Sequence, residues 1–158
     1  MKKIIVSALV LMMALSAFAG IDSGSTEMSL SFVFLKPEDG DYNQVLVGQV
    51  GFFSLSWLEV HGRVIWFGPE GSTRGAAGGG VDLHIAPYQE IVPYVGVGIL
   101  ASIGDIDLAE STLMDFHVGI KSFITDGVSI NYSLNQWRDT GPAGTTFFVG
   151  MAGVSVYF

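Results

Sequence analysis

The chain has 158 residues, no cysteine and a formal net charge of −8. The length predicts a single domain, the lack of cysteine excludes disulfides and thiolate metal sites, and the acidic charge, without a basic patch, excludes nucleic acid as a partner. Hydrophobic residues make up 49% of the chain and charged residues only 14%, whereas soluble proteins have about 25% charged residues. Beyond residue 19, however, no run of about 18 apolar residues predicts a membrane-spanning helix.

The first residues have the layout of a secretory signal peptide. Lys2 and Lys3 form a positive start, residues 4–15 are apolar, and residues 17–19 (Ala-Phe-Ala) match a signal-peptidase cleavage site. The apolar stretch is shorter than the about 20 residues that a membrane-spanning helix needs. We therefore predict export from the cytoplasm, with residues 1–19 cleaved and residues 20–158 forming the mature domain. Loss of the two lysines changes the formal net charge from −8 to −10.

Alternation of apolar and polar side chains predicts eight β-strands along the rest of the chain. We place them near residues 25–35, 43–53, 57–67, 81–85, 92–100, 113–124, 128–138 and 146–158. Residues 68–80 are predicted to be a Gly-rich loop that leads into the fourth strand. The connections after strands one, three, five and seven are longer and more polar than the others. An even strand number with alternating long and short connections is typical of bacterial transmembrane barrels, which keep both termini in the periplasm.

Charged side chains fall on one face of the predicted strands. In strand three, Glu59, His61 and Arg63 alternate with aliphatic and aromatic residues, and strands four and six repeat this pattern. Charged groups cannot face acyl chains, so this face is predicted to line the lumen. A soluble ligand-binding barrel would have the opposite arrangement, polar outside and apolar inside. The predicted lumenal charge network consists of Glu59, His61, Arg63, Asp82, His84, Asp115, His117 and Lys121.

Two features resemble a known family. Residues 93–98 form a Pro-Tyr-x-Gly-x-Gly run that opens strand five, and strand eight ends in Tyr157 and Phe158. Together with the alternation, these resemble small outer-membrane β-barrels of the OmpA/OmpX type over the whole mature chain. The resemblance implies an all-β, eight-stranded antiparallel up-and-down transmembrane barrel in the bacterial outer membrane, with short periplasmic turns and longer extracellular loops. It also implies that Tyr157 and Phe158 serve as the signal for the barrel assembly machinery.

The lumen is the place where chemistry could occur, and eight strands leave just enough room there for side chains. We expect its charges to pair with one another and to plug the barrel. This predicts a monomer with a structural or surface-interaction role, surrounded by outer-membrane lipid and without catalysis. The alternatives are a small-solute channel and a lipid-modifying enzyme that uses Ser122 or Ser133 with a histidine.

A divalent-metal site is a further hypothesis, because all three histidines are predicted to point inward. The candidate ligands are His61, His84 and His117, with Asp82 or Asp115. Their spacing matches no metal-binding motif, and no Ser-His-acid spacing stands out. We therefore predict no catalytic residue, no metal site and no cofactor.

Aromatic residues near the predicted strand ends indicate girdles at the two bilayer interfaces. Trp57 and Trp137 are the two for which packing inside the lumen is the alternative. The residues assigned to these girdles are Trp57, Trp66, Tyr94, Tyr132, Trp137, Tyr157 and Phe158.

Overall fold

A computed structural model describes residues 21–35, 43–68, 74–104, 112–141, 144 and 146–158. The predicted signal peptide lies outside these residues. The eight strands are β1 (Thr26–Leu35), β2 (Asn43–Leu55), β3 (Leu58–Gly68), β4 (Arg74–His84), β5 (Ile91–Gly104), β6 (Thr112–Thr125), β7 (Val128–Asp139) and β8 (Thr146–Tyr157). Among the described residues, no helix is long and apolar enough to cross a bilayer.

The strands form one closed antiparallel barrel in which each strand pairs with the next along the chain. The ring closes between β1 and β8, where six residue pairs run from Glu27 opposite Tyr157 to Phe32 opposite Ala152. Closure gives each of the described strands two paired neighbours, which is how barrels avoid association through exposed edges. The prediction of an eight-stranded antiparallel up-and-down barrel is therefore confirmed.

The largest difference from the predicted strands concerns β4. This strand begins at Arg74, so the prediction that residues 68–80 form a loop is wrong for its second half. Glycine disfavours strands and gives no alternation signal, but here the neighbouring strands impose the conformation. Gly78 pairs with Arg63 on β3 and with Leu100 on β5. Two paired neighbours thus override the local preference.

The interior is arranged in three layers along the barrel axis. We call the end where Thr26 and Phe158 lie the terminal end, and the opposite end the loop end. An apolar layer at the terminal end, the terminal layer, consists of Ile21, Phe53, Val92 and Tyr157, with Phe123 packed against it. A second apolar layer at the loop end, the loop layer, consists of Val33, Val45, Val47, Ile65, Ala76, Leu100, Leu113, Trp137, Val149 and Met151. The buried charged side chains lie between these two layers, except that of Asp139, which is paired with Leu113 of the loop layer.

The outer surface has the opposite polarity to the middle of the lumen. Along β2 to β6, no outward position among the described residues carries a charged side chain. Large apolar side chains are instead exposed around the barrel, among them Val50, Val60, Val64, Leu83, Val97, Ile99, Phe116, Val118, Ile120 and Leu134. Apart from Arg138 near the loop end of β7, which is exposed, the described strands thus expose apolar side chains and bury charged ones.

Four of the aromatic residues assigned to girdles lie on this outer surface: Trp57, Trp66, Tyr132 and Phe158. Tyr94, Trp137 and Tyr157 are buried instead, so the girdle assignment is wrong for these three, and the lumenal alternative holds for Trp137 but not for Trp57. Tyr94 points inward because it shares the face of Gly96, and Gly119 opposite it leaves room for the ring.

Candidate functional site

All eight residues of the predicted charge network are buried inside the barrel, each at most 6% exposed. Three come from β3, two from β4 and three from β6, at alternate positions that share the inward face. The antiparallel register then sets their heights, and it places Glu59 directly opposite Asp82. Strand pairing therefore brings the network together without any loop.

Arg63 connects opposite sides of the lumen. Its Nη1 donates to Asp115 on β6, and its Nε and Nη2 donate to the Gln49 side-chain oxygen at 2.9 and 2.6 Å. The amide nitrogen of Gln49 in turn donates to Glu59 Oε1 at 3.0 Å. Gln49 thus links the guanidinium to a second carboxylate, which leaves fewer buried polar groups unsatisfied.

His117 lies between two carboxylates. Its Nδ1 is 3.1 Å from Asp115 Oδ2, and its Nε2 is 2.7 Å from Asp82 Oδ1. An imidazole that donates from both nitrogens is the protonated form. The ring and its two partners thereby join β4 to β6 across the lumen.

Lys121 is the second buried cation, and its ammonium group donates to Glu27 and, at 3.2 Å, to Glu59. It also lies 5.5 Å from the ring centre of Phe53, 5.2 Å from that of Tyr94 and 5.7 Å from that of Tyr157. Aromatic faces at such distances stabilise a cation. Lys121 therefore connects the charged layer to the terminal layer.

Glu27, which was not predicted from the sequence, also belongs to the network: it is 1% exposed and accepts a hydrogen bond from Lys121. Its second carboxylate oxygen accepts a hydrogen bond from Ser155 on β8 at 2.5 Å, so it joins three strands. The alternation of Glu27 with Ser29 and Ser31 was the signal that could have revealed it. Strand one carries a single charged residue, however, so no repeated pattern drew attention to it.

Two histidines are less well satisfied. His61 Nδ1 is 3.4 Å from Asp82 Oδ1, and His84 Nε2 is 3.5 Å from Glu59 Oε2. Within the described part of the chain, no ring nitrogen of either residue makes a hydrogen bond. Glu59, His61 and Asp82 also offer one ligand atom each within 4.8 Å of one another. Among the described residues, Glu59, His61 and Asp82 are therefore the group that could hold a metal ion.

A small cavity of about 20 Å³ lies in the lumen beside the network. Its lining includes Glu27, Arg63 and Lys121. This volume holds about one water molecule, whereas small-molecule sites have about 300–1,000 Å³. Neither Ser122 nor Ser133 makes a hydrogen bond to a histidine among the described residues, and Ser133 Oγ instead accepts one from Asn135 at 2.9 Å.

No protein-family model matches the chain, and no curated protein matches it by sequence. Solved structures do match. The N-terminal β-barrel domain of Pseudomonas aeruginosa OprF has a TM-score of 0.68 at 14% identity. A barrel from the de novo design of transmembrane β-barrels has a TM-score of 0.61 at 12% identity, and Neisserial surface protein A has 0.61 at 14%. Each match covers 87% of this chain and 98% of the other.

At sequence identities of 12–14%, the similarity between this chain and these structures is one of fold alone. It agrees with the closed eight-stranded ring and with the resemblance to small outer-membrane barrels, which is confirmed at the level of fold. The chain therefore has the fold of the eight-stranded transmembrane β-barrels.

Proposed function

We propose that the protein is an integral barrel of the bacterial outer membrane with a structural or surface-interaction role, without catalysis and with a lumen closed to solutes. The observation that carries this proposal is the inverted polarity of the barrel. Exposed side chains such as Val97 and Leu134 are apolar, while Glu59, Asp82 and Lys121 are buried. An apolar outer face is stable in lipid, and a closed barrel satisfies its main-chain hydrogen bonds there.

The layers of the interior support a closed lumen. An apolar layer lies on each side of the charged layer, and the cavity beside the network has room for about one water molecule. A hydrated solute would have to displace buried salt bridges to pass. This arrangement favours a structural role over a small-solute channel, and the absence of a Ser–His hydrogen bond among the described residues removes support for a lipid-modifying enzyme.

The orientation and the assembly route are part of the proposal. The start of β1 and the end of β8 lie at one end of the barrel, where Thr26 and Phe158 are hydrogen-bonded. We assign this end to the periplasm, and the loop end then faces outward. The resemblance to small outer-membrane barrels implies that the barrel assembly machinery recognises Tyr157 and Phe158. Phe158 is on the surface, whereas Tyr157 is fully buried, so the machinery would have to contact Tyr157 before the barrel closes.

Gel mobility of the protein in isolated outer membranes tests the location and the fold. A folded barrel resists SDS at room temperature, so we expect the boiled and unboiled samples to migrate differently. The boiled sample is the internal control for the unfolded chain. An unshifted protein found in the soluble periplasmic fraction would contradict the membrane proposal.

Conductance measurements in planar lipid bilayers test whether the lumen is closed to solutes. We expect no steady conductance from the reconstituted barrel, with a known porin treated identically as the positive control. Lipid hydrolysis by the folded protein that disappears in His61→Ala or His117→Ala would favour the enzyme instead.

A further inference from the structure

We propose that Glu59, His61 and Asp82 form a lumenal binding site for a divalent transition-metal ion, with His84 as the fourth ligand. The site is independent of the structural role proposed above. It differs from the prediction of no metal site, which was based on spacing along the chain, because the ligands meet through strand pairing.

The pairing of β3 with β4 brings the proposed ligands together. Glu59 on β3 is paired directly with Asp82 on β4, and His61 follows Glu59 by two residues on the same inward face. One possible ligand atom from each of the three lies within 4.8 Å of the others. Since neighbouring paired strands hold all three residues, the cluster is fixed by the backbone.

Several buried polar atoms of the proposed ligands have no hydrogen-bond partner among the described residues. In the described part of the chain, neither ring nitrogen of His61 has such a partner, and the same is true of Asp82 Oδ2. Asp82 Oδ1 is already engaged by His117. Buried polar atoms without partners are costly, and one bound cation would satisfy both residues at once.

His84 can complete the coordination. Its Nε2 lies 3.5 Å from Glu59 Oε2, and neither of its nitrogens makes a hydrogen bond within the described residues. Two imidazoles and two carboxylates suit Zn²⁺ and related ions better than Ca²⁺ or Mg²⁺. Four-coordinate Zn²⁺ with bonds of about 2.0–2.2 Å has ligand atoms about 3.4 Å apart. The ligand atoms of Glu59, His61 and Asp82, which lie within 4.8 Å of one another, would therefore move closer together on binding, and His84 would move toward them.

Charge inside the barrel also favours a cation at this site. Among the described side chains, five carboxyl groups are buried, those of Glu27, Glu59, Asp82, Asp115 and Asp139, whereas the buried permanent cations are Arg63 and Lys121. Buried charge needs compensation, and a water molecule in the same place would not provide it.

Neighbouring side chains hold the ligands in position. Gln49 donates to Glu59 Oε1 at 3.0 Å and Lys121 donates to Glu59 Oε2 at 3.2 Å, so this carboxylate would bind the ion through a remaining lone pair. His117 holds Asp82 through Oδ1 in the same manner. Such partners orient metal ligands in known sites. The terminal and loop layers enclose the site, so we expect the ion to enter while the barrel forms.

The test is to refold the denatured chain into detergent micelles with or without ZnCl₂. Free metal is removed with EDTA and gel filtration, folding is checked by heat-modifiable gel mobility, and bound zinc is measured by mass spectrometry. We expect about one zinc ion per folded barrel. A folded barrel with less than about a tenth of an equivalent would overturn the proposal.

Two isosteric substitutions distinguish zinc binding by specific ligands from attraction of zinc by the lumenal charge. Asp82→Asn and Asp115→Asn each remove one carboxylate from the same lumen, but only Asp82 belongs to the ligand set. We expect Asp82→Asn to lower bound zinc at least tenfold and Asp115→Asn to retain it. Equal loss in both would show that charge alone attracts the ion and would overturn the ligand assignment.

A spectroscopic measurement on the unmodified chain covers the case in which a variant fails to fold. Refolding with Co²⁺ in place of zinc should give the intense visible absorption of four-coordinate cobalt. Bound cobalt with only the weak absorption of the hydrated ion would overturn the proposal.

Discussion

At the scale of single residues, the network shows why a buried charge depends on its partners. Lys121 is 2% exposed, and it bonds Glu27 and Glu59 while three aromatic rings surround it. Loss of one member of a buried ion pair leaves an uncompensated charge, which costs more than the pair itself contributes. If Lys121 is removed, the unpaired carboxylates that remain destabilise the barrel.

We therefore expect Lys121→Met to lower the free energy of unfolding by about 3–5 kcal/mol. Urea unfolding of the barrel in micelles, in metal-free buffer, measures this change. The control is the triple variant with Glu27→Gln and Glu59→Gln added, which removes both orphaned charges and should recover much of the loss. A single variant as stable as the wild type would show that water reaches the carboxylates.

At the scale of the strand, β4 depends on its glycines for close packing. A Cβ atom at Gly78 would collide with the carbonyl oxygen of Ile99 on β5. The strand therefore tolerates no side chain at this position without displacement of its neighbour. Gly150 on β8, by contrast, has open space where a Cβ would be.

Gly78→Ala should accordingly lower the free energy of unfolding by about 1–3 kcal/mol, the usual cost of overpacking. Gly150→Ala is the matched control, and we expect it to stay within about 0.5 kcal/mol of the wild type. The same urea titration compares them. Equal stability of the two variants would mean that β4 and β5 can separate at little cost.

The same strand marks the limit of prediction from sequence. Alternation was sufficient for the other seven strands and for the inward direction of residues such as His61 and His117, because charge on one face is a strong signal. It failed for residues 74–80, whose glycines have no side chains to alternate. It could not predict that Arg63 bonds Asp115, since β3 and β6 are not neighbours and their contact depends on the curvature of the whole ring.

At the scale of the whole molecule, apolar residues cover the outside and charges fill the middle. Val97 lies near the centre of β5, whereas Ile85 lies in the connection after β4, and both are exposed. In a bilayer these two positions have different surroundings, although in water they would be alike. The cost of a charge should therefore depend on depth.

Val97→Arg is expected to lower the free energy of unfolding in lipid vesicles by about 2–4 kcal/mol, against about 0–1 kcal/mol for Ile85→Arg. Unfolding in urea from vesicles of uniform thickness measures both. Similar small effects at the two positions would indicate that the outer face of β5 contacts water or protein instead of acyl chains.

The hydrogen bonds that close the barrel between β1 and β8 bear on the strand orders that could form this fold. Thr26 and Phe158 exchange main-chain hydrogen bonds, at 3.0 Å from the Thr26 amide and at 2.9 Å from the Phe158 amide. The first and last strands are thus paired neighbours, although over fewer residues than the other strands. A circular permutation that links Phe158 to the start of β1 and opens the tight turn at residues 126–127 would retain the pairing of every strand with its two neighbours. The order of strands in the gene is only one of several that encode the same barrel.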